Sequence, residues 1–422
     1  MNKIVLIIPP SLFLGDQKKN PSLGIMYIAS YLEQNGFVVE MVDLRNISEI
    51  ELLDHIPENE LYGITATTPE YPVALIIANL LKERDSKCKI ILGGLHGTTS
   101  HVDNVFDSVI IGEGELSIVE ALCDHKKNKL KRFYQTSLIK DINELPFPAR
   151  DLLPEDSFIN DTLCEWGNRA TSIIISRGCP FNCSFCSIES IWKRRTRYRS
   201  PENVVKEIKE LIENYSVKYL RFQDDTLTAN KKWIIQLCDI MTDLNIKWRA
   251  NTRVDFTDMS VLEKMVKAGC YELDFGVEDV SQEVLDINNK RVALNEIYDA
   301  IKNTKEIGIK VRVFLMIGLP GQGHDVSKNI IKFIEKTNPE AVDLSTFIPM
   351  PGSDVYNNPG KYNIKLKNNF NLSDYVYTVG LYGDEADKDF VFEHDKLTNE
   401  ELKKYRKEIL EFIQERKMVF NQ

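Results

Sequence analysis

The sequence predicts an α/β protein in which a doubly wound parallel sheet is followed by a partial barrel and a small helical region. Short apolar runs alternate with amphipathic segments over residues 1–125, and a second alternation of strands and helices begins at residue 171. Repeated alternation of this kind is typical of parallel sheets covered by helices. Residues 351–422 differ, because they contain one long amphipathic segment rich in charge.

Length and composition limit the class of protein. A chain of 422 residues with 43% hydrophobic and 27% charged residues is expected to form two or three soluble globular domains. The net charge of −10 argues against a nucleic-acid-binding surface. No apolar run reaches the ~18 residues of a membrane span. Five of the eight cysteines stand alone in the sequence, which disfavours a disulfide framework and favours a reducing, cytoplasmic location.

The first predicted domain covers residues 1–140. Its strands read as continuous apolar runs, which is the pattern of strands covered on both faces. They are expected at 3–8, 37–42, 61–66, 89–94 and 107–112, with helices at 23–35, 48–56 and 70–85. An open parallel sheet of this kind binds ligands beyond the carboxyl ends of its strands.

Residues 141–170 contain three prolines and show no clear period, so they are expected to form a linker. The second domain, residues 171–350, contains six strand–helix units, fewer than the eight of a closed barrel. Its strands are expected at 171–176, 217–222, 246–251, 271–276, 310–318 and 341–347, and its helices near 201–214, 230–244, 259–268, 293–307 and 325–336.

The C-terminal region, residues 351–422, is expected to include one charged amphipathic helix over residues 396–417. Thr398 is a candidate N-cap, and Glu401 follows it at the spacing of a capping box. In a capping box the two side chains accept hydrogen bonds from each other's backbone N–H groups, which fixes the start of the helix.

The segment SRGCPFNCSFCS places Cys179, Cys183 and Cys186 at a Cys-x3-Cys-x2-Cys spacing. Structural zinc needs four Cys or His ligands, and no histidine lies between residues 126 and 323, so a distant cysteine would have to complete a zinc site. A 4Fe–4S cluster differs, because three thiolates hold three irons and leave the fourth iron free. The motif follows an apolar strand, at the end where barrel enzymes build active sites. The sequence therefore favours a cluster, with zinc as the alternative.

On these residues the chain resembles the radical S-adenosylmethionine superfamily. Its signature is this cysteine spacing, with an aromatic residue before the last cysteine, in a (β/α)6 partial TIM barrel; the resemblance covers residues 171–350. It implies that the open iron binds the amino and carboxylate groups of S-adenosylmethionine. In that family the reduced cluster passes one electron to the sulfonium, and the 5′-deoxyadenosyl radical that results takes a hydrogen atom from the substrate.

The resemblance also implies acidic ligands for S-adenosylmethionine at the ends of two strands. Either Asp224 or Asp225, after the second strand, is expected to receive the methionyl amino group. Glu278, at the end of the fourth strand, is expected near the ribose hydroxyls.

Three further residues are expected to contact this cofactor. Arg253 follows the third strand, and Arg312 in the fifth strand would pair with the methionyl carboxylate. Gly318 would let the backbone approach the adenine. No residue of the chain is assigned a catalytic role, because the cofactors carry the hard steps.

A doubly wound domain before such a barrel resembles the cobalamin-binding class of the superfamily, which implies a Rossmann-like, cobalamin-binding-type domain. The matching segments imply cobalamin contacts at Gly93, Gly94, His96, Gly112 and Gly114. The Asp-x-His-x-x-Gly motif that gives a histidine to cobalt in other cobalamin domains is absent. The lower axial position of the cobalt is therefore expected to be empty, or filled from the loop at 67–71.

The leading hypothesis is a cobalamin-dependent radical methyltransferase acting on an unactivated carbon, or on phosphorus, of a small molecule or peptide. The alternatives are radical cyclisation, oxidation or rearrangement without methyl transfer, and a cobalamin or redox sensor without turnover. A complete cluster motif disfavours the sensor, because binding alone needs no open iron. The expected partners are the substrate and a low-potential electron donor such as flavodoxin or ferredoxin, with no nucleic acid.

Overall fold

The structure is a computed structural model that describes residues 3–163, 169–367 and 390–418. It divides into two compact units. The first comprises Met1–Ser172 with Ser190–Trp192, and the second comprises Ile173–Glu189 with Lys193–Gln422. None of the helices in the described ranges is long and apolar enough to cross a bilayer.

The first unit is built on a six-stranded parallel sheet with the strand order β2-β1-β3-β4-β5-β6. Its central strands are apolar and buried, as their sequences predict. The strands are β1 (Lys3–Ile8), β2 (Val38–Asp43), β3 (Leu61–Thr65), β4 (Lys89–Gly93), β5 (Ser108–Ile111) and β6 (Phe133–Gln135). The helices are α1 (Leu23–Gln34), α2 (Tyr71–Arg84), α3 (Leu95–Thr99) and α4 (Glu115–Lys126).

The strand order reverses between β1 and β3, because the chain adds β2 on one side of β1 and then continues on the other. In open α/β sheets, the crevice outside the carboxyl ends of the strands at such a point is the usual ligand site. The segment predicted as a linker is hydrogen-bonded to other parts of the first unit. The N–H of Ala149 donates to the carbonyl of Met26 at 3.1 Å, and Arg45 donates to the carbonyl of Ser157 at 2.8 Å.

The second sheet has six strands in the order β14-β13-β12-β11-β10-β7, and strands β10 to β14 pair in parallel. The strands are β7 (Ala170–Ile173), β8 (Ser176–Arg177), β9 (Arg197–Tyr198), β10 (Tyr219–Phe222), β11 (Lys247–Thr252), β12 (Cys270–Glu278), β13 (Lys310–Ile317) and β14 (Ala341–Thr346). The helices along this part of the chain are α5 (Glu189–Trp192), most of which belongs to the first unit, and then α6 (Pro201–Tyr215), α7 (Lys231–Met241), α8 (Met259–Lys267), α9 (Gln282–Ile287), α10 (Leu294–Glu306) and α11 (Val326–Thr337).

The predicted strand at 171–176 is two pieces in the structure. β7 belongs to the sheet, whereas β8 pairs antiparallel with β9 in a short ribbon that directly precedes the cysteines. The predicted helix at 48–56 is a 3-10 helix over Glu49–His55. These differences leave the fold class as the sequence predicts it.

The C-terminal region has α12 (Asp354–Asn357), the antiparallel pair β15 (Ile364–Leu366) and β16 (Phe392–His394), and α13 (Asn399–Glu415). The capping box at the start of α13 is present as predicted: Thr398 N donates to Glu401 Oε2 at 2.9 Å, and Glu401 N donates to Thr398 Oγ1 at 3.3 Å. Cys164 and residues 368–389 lie outside the described residues.

Candidate active site

The three cysteines of the motif lie on one loop between β8 and α5, and all three are partly buried. The loop is tied to the segment after α9. Ser184 N donates to the carbonyl of Asn288 at 3.0 Å, and Asn289 Nδ2 donates to the carbonyl of Asn182 at 2.9 Å. These bonds fix the backbone of the cysteine loop before any cofactor arrives.

The surroundings of the loop favour protonated thiols over free thiolates. Burial raises the pKa of the Cys183 thiol, and it raises the pKa of Cys186 to about 12. Metal binding to such thiols releases their protons. Within the described ranges, no three Cys, His, Asp or Glu side chains converge closely enough to share one metal ion. A 4Fe–4S cluster needs no such convergence, because each thiolate binds a different iron.

Asp224 and Asp225 follow β10 and differ in their surroundings. Asp224 is buried and accepts hydrogen bonds from Ser176 N at 2.5 Å and Ser176 Oγ at 2.6 Å. The Asp225 side chain is exposed and has no ion-pair or hydrogen-bond partner among the described residues, yet desolvation by the surrounding protein raises its pKa to about 6. Exposure and desolvation coexist where a side chain lies in a concave surface. Of the two, Asp225 is the available ligand.

Glu278 lies at the end of β12, where the pairing with β13 shifts register. Its φ of +67° is in the left-handed region, which non-glycine residues other than Asn and Asp adopt infrequently. Lys290 Nζ donates to Glu278 Oε1 at 2.9 Å. A Cβ at Gly276 would come within 2.6 Å of that oxygen, so the glycine makes room for the carboxylate.

Arg253 follows β11 and contacts the cysteine loop directly. Its guanidinium carbon lies 3.8 Å from the centroid of the Phe181 ring, and Nη1 lies 3.9 Å from Cys183 Sγ. Asp255 accepts from Nε at 2.9 Å and from Nη2 at 3.0 Å. The structure therefore brings Arg253 to the predicted cluster.

Arg312 lies elsewhere. It is the third residue of β13, near the amino end of the strand, and it is buried among carboxylates. Its guanidinium lies 3.2 Å from Asp343, 3.4 Å from Glu272 and 3.8 Å from Asp274. Arg312 is opposite Asp274, the fifth of the nine residues of β12, so this network lies within the sheet and before the carboxyl ends of β12 and β13. The geometry gives no support to the expected contact with a methionyl carboxylate.

Gly318 has a φ of +94°, and the space beside it is filled by protein rather than left for a ligand. A Cβ there would come within 3.0 Å of Phe390 and 3.1 Å of Phe392. Gln322, which sequence reasoning missed, holds this turn. Its Oε1 accepts from Gly318 N at 2.7 Å, and its Nε2 donates to Asp279 Oδ2 at 2.6 Å. A glutamine directly after the Gly-Leu-Pro-Gly turn is the sequence signal for it.

The four glycines expected at the cobalamin site fall into two pairs. A Cβ at Gly93 or Gly112 would meet no atom within 4 Å, so both leave open space. Gly94 has a φ of +94°, and its Cβ would lie 2.6 Å from the carbonyl oxygen of Ala66. A Cβ at Gly114 would lie 2.8 Å from Ile28. The fold itself therefore requires glycine at 94 and restricts 114.

His96 is fully buried in the first unit. Its ring stacks on Tyr71 at 3.8 Å, Nδ1 lies 3.3 Å from Thr68 Oγ1, and Nε2 lies 3.1 Å from the carbonyl of His101. Burial lowers its pKa to about 4, so the ring is neutral. Both nitrogens are occupied within the protein, which gives no support to a contact with cobalamin.

A polar cluster at the switch point of the first sheet was missed as a site. Ser11, after β1, donates from Oγ to Glu70 Oε1 at 2.6 Å. Thr67, after β3, donates to Glu70 Oε2 from N and from Oγ1, both at 2.8 Å. The Thr-x-x-Glu spacing of this loop is the signal that predicts the Thr67 contacts.

Comparison with known families gives two matches. The family model of the radical SAM superfamily matches residues 173–334, and that of the B12 binding domain matches residues 17–122. The first range begins just before the cysteine loop. The second contains β2 to β5 and the four glycines.

Individual proteins resemble the chain over most of its length. An uncharacterised methyltransferase from Pyrococcus horikoshii is 30% identical over 84% of this chain and 82% of its own. The anaerobic magnesium-protoporphyrin IX monomethyl ester cyclase of Rubrivivax gelatinosus is 28% identical over 84% of this chain and 70% of its own. The solved structure of TsrM from Kitasatospora setae, a radical S-adenosylmethionine methyltransferase with cobalamin and a [4Fe-4S] cluster bound, has a TM-score of 0.65 at 14% identity, covering 84% and 74% of the two chains.

Proposed function

The chain belongs to the cobalamin-binding class of the radical S-adenosylmethionine superfamily, and we propose that it transfers methyl to an unactivated carbon, or to phosphorus, of a small molecule or peptide. Its cofactors are a 4Fe–4S cluster, S-adenosylmethionine and cobalamin. When bound, these groups supply the radical and carry the methyl group. The protein binds them, orients them and excludes water.

The observation that carries the proposal is the set of groups around the cysteine loop. Burial is the main cause of the raised pKa values of the thiols. The charge of Asp225 also raises the pKa of Cys186, and the charge of Glu278 also raises the pKa of Cys183, so both carboxylates lie near the thiols. Cys179 Sγ lies 3.5 Å from Thr226 Oγ1, next to Asp225. Three thiolates hold a cluster with one open iron, and a nearby carboxylate receives the amino group of its ligand.

In this proposal each residue has one task. Cys179, Cys183 and Cys186 each bind one iron. Asp225 accepts hydrogen bonds from the methionyl ammonium group, because its carboxylate is ionised at pH 7 and has no partner among the described residues. Glu278, held by Lys290, faces the ribose hydroxyls.

Cobalamin binds at the carboxyl edge of the first sheet, in the crevice between β1 and β3. The open space beside Gly93 and Gly112 and the polar cluster of Ser11, Thr67 and Glu70 support this placement. His96 would not be available as a ligand to the cobalt, since both of its ring nitrogens are hydrogen-bonded within the protein.

The electron donor is an acidic low-potential protein of the flavodoxin or ferredoxin type. Lys193, Arg194 and Arg195 are exposed, in a chain whose net charge is −10. They precede β9, which pairs with β8 immediately before the cysteine loop. A local basic surface near the cluster would steer an acidic partner to it.

Reduction by flavodoxin should slow with rising salt, and a Lys193→Gln/Arg195→Gln variant should lose that salt dependence.

The cluster assignment is tested by anaerobic reconstitution of the full chain with iron and sulfide. Cys183→Ala should lose the cluster absorbance and all formation of 5′-deoxyadenosine. Cys123→Ala, which changes an isolated thiol on α4, should keep both and is the matched control. Retained formation of 5′-deoxyadenosine in the Cys183 variant would contradict the proposal.

The second candidate function is radical cyclisation without methyl transfer, which the match to the magnesium-protoporphyrin cyclase favours. Methyl transfer consumes one S-adenosylmethionine for the radical and one for the methyl group. A cyclase consumes S-adenosylmethionine only for the radical. The ratio of S-adenosylhomocysteine to 5′-deoxyadenosine therefore separates the two.

A further inference from the structure

The N–H groups of the Arg253 guanidinium contact two sets of groups. Some donate to Asp255 and a backbone carbonyl, and the others face the cysteine loop. Nε and Nη2 donate to the two carboxylate oxygens of Asp255. Nη2 also donates to the carbonyl of Lys290 at 2.8 Å. Nη1 is the nitrogen that points to Cys183 Sγ, at 3.9 Å.

The position of this cation is fixed from several sides. The plane of Arg253 lies over Phe181, which belongs to the cysteine loop itself, and the Arg253 side chain is only 6% exposed. A buried guanidinium held by a carboxylate, a carbonyl and a ring keeps one orientation. Asp255 is 18% exposed and lies on the side of the guanidinium away from Nη1.

We infer that Arg253 raises the reduction potential of the cluster and that Asp255 opposes it. Hydrogen bonds to cluster sulfurs and nearby net charge are two of the factors that set such potentials. Reduction adds one electron to the cluster and moves no proton or group, so a fixed positive charge stabilises the reduced state. The inference rests on the proposed function, because it takes Cys183 as a cluster ligand.

The test is a redox titration of the reconstituted full chain, followed by the electron paramagnetic resonance of the reduced cluster, with dithionite as reductant. Arg253→Met keeps the aliphatic stem over Phe181 but removes the charge and the N–H donors. The ratio of reduced to oxidised cluster at a fixed potential should fall about tenfold, which is ~59 mV for a one-electron couple. Arg253→Lys keeps the charge and should recover part of the shift.

Asp255→Asn supplies the opposite case. It removes the negative charge beside Arg253 and keeps an amide oxygen that accepts from the guanidinium. The midpoint potential should therefore move in the positive direction. If Arg253 and Asp255 only hold the loop in place, either substitution would loosen the loop and lower the iron and sulfide content. The two substitutions would then not shift the midpoint potential in opposite directions. Iron and sulfide are measured on every variant for this reason.

The outcomes are distinguishable. Unchanged potentials in Arg253→Met and Asp255→Asn, with intact clusters, overturn the inference and leave the proposed function standing. Shifts of the same sign also overturn it. A wild-type chain that assembles no 4Fe–4S cluster overturns the proposed function instead. If Arg253→Met does not hold a cluster, the sign of the shift in Asp255→Asn decides the question.

Discussion

Asp224 and Asp225 are neighbours in sequence at the end of β10, but the protein hydrogen-bonds only the carboxylate of Asp224 in the residues that the structure describes. Asp224 fixes the start of the β8 ribbon through Ser176, and its burial raises its pKa to about 7. The carboxylate of Asp225 has no hydrogen-bond or ion-pair partner among the described residues, and we propose that it binds the ligand. A carboxylate that meets an ammonium group forms a charge-assisted hydrogen bond, which is stronger than a neutral one.

Asp225→Asn should therefore weaken the binding of S-adenosylmethionine. A lost hydrogen bond to a charged group is worth about 1.5–3 kcal/mol, which is roughly ten- to hundredfold in affinity. Equilibrium binding to the reconstituted chain measures the change, and the cluster absorbance should stay intact. Asp239→Asn is the control, since that exposed carboxylate on α7 pairs with Lys264. If the two variants bind S-adenosylmethionine with equal affinity, Asp225 is a surface charge and not a ligand of the cofactor.

The pH dependence of the same step follows from the raised pKa of Asp225, about 6. Only the ionised carboxylate attracts the ammonium group. Affinity for S-adenosylmethionine should hold above pH 7 and decline as the pH falls through 6. Asp225→Asn should remove this dependence, which binding measurements between pH 5.5 and 8 will show. A profile that is the same in both proteins would assign the titration to another group.

Burial of His96 lowers its pKa to about 4, whereas burial raises the pKa of Asp225. The shift at His96 leads to a prediction about the stability of the fold. The unfolded chain binds a proton on this imidazole near pH 6.5 and the folded chain does not, so the stability it contributes is lost as pH falls from 6.5 towards 4. His96→Gln should flatten that part of the pH profile of urea unfolding.

The same variant tests the cobalamin site. Since neither ring nitrogen of His96 is free, His96→Gln should still take up cobalamin. The cob(II)alamin spectrum of the wild-type chain should show no coupling to a histidine nitrogen. Such coupling, lost in His96→Gln, would contradict the structure.

At the scale of elements, the apolar runs predicted the central strands to within a residue or two. β1 spans Lys3–Ile8 as expected, because a lysine followed by five apolar residues fits a strand that is covered on both faces. β6 has only three residues at a sheet edge, with just its middle residue buried, and so has no periodic signal. β8 has two residues and depends on its partner β9, which the sequence does not reveal.

The site residues divide in the same way. Cysteine spacing identifies the cluster loop, because that chemistry depends on local sequence. Arg312 was expected at the cofactor, but whether a strand residue serves the carboxyl end depends on where the strand begins relative to its neighbours. The left-handed backbone at Glu278 arises from a register shift between β12 and β13, which is a tertiary property.

The βα loops of the first unit lead to a prediction about its glycines. Gly93→Val should block cobalamin uptake without unfolding the chain, since its Cβ would meet no protein atom and only a ligand would collide with it. Gly94→Ala should destabilise the unit instead, because the backbone of Ala66 lies too close. Uptake is measured by absorbance after gel filtration, and thermal unfolding separates the two effects. Gly360→Ala, also in open space, is the control. Normal uptake by Gly93→Val would move the cobalamin site away from β4.

At the scale of the whole chain, the division into two units corresponds to a division of chemistry. The first unit has a polar cluster and glycines beside open space at the ends of its strands, and both ring nitrogens of its buried His96 are hydrogen-bonded within the protein. The second has thiols and carboxylates at the ends of its strands. In the proposed function, we expect methyl transfer to need both units and cleavage of S-adenosylmethionine to need only the second. A variant altered in one unit can therefore separate the two reactions in the full-length protein.

Product analysis with S-adenosylmethionine labelled in its methyl group is the decisive test of the whole molecule. The loaded wild-type chain, given reductant and its substrate, should form S-adenosylhomocysteine together with 5′-deoxyadenosine. Gly93→Val should lose S-adenosylhomocysteine but keep 5′-deoxyadenosine, because its cluster unit is unchanged. Cys183→Ala should lose 5′-deoxyadenosine. If the wild-type chain turns over its substrate and forms 5′-deoxyadenosine alone, methyl transfer is excluded and the chain is a radical cyclase or a related enzyme.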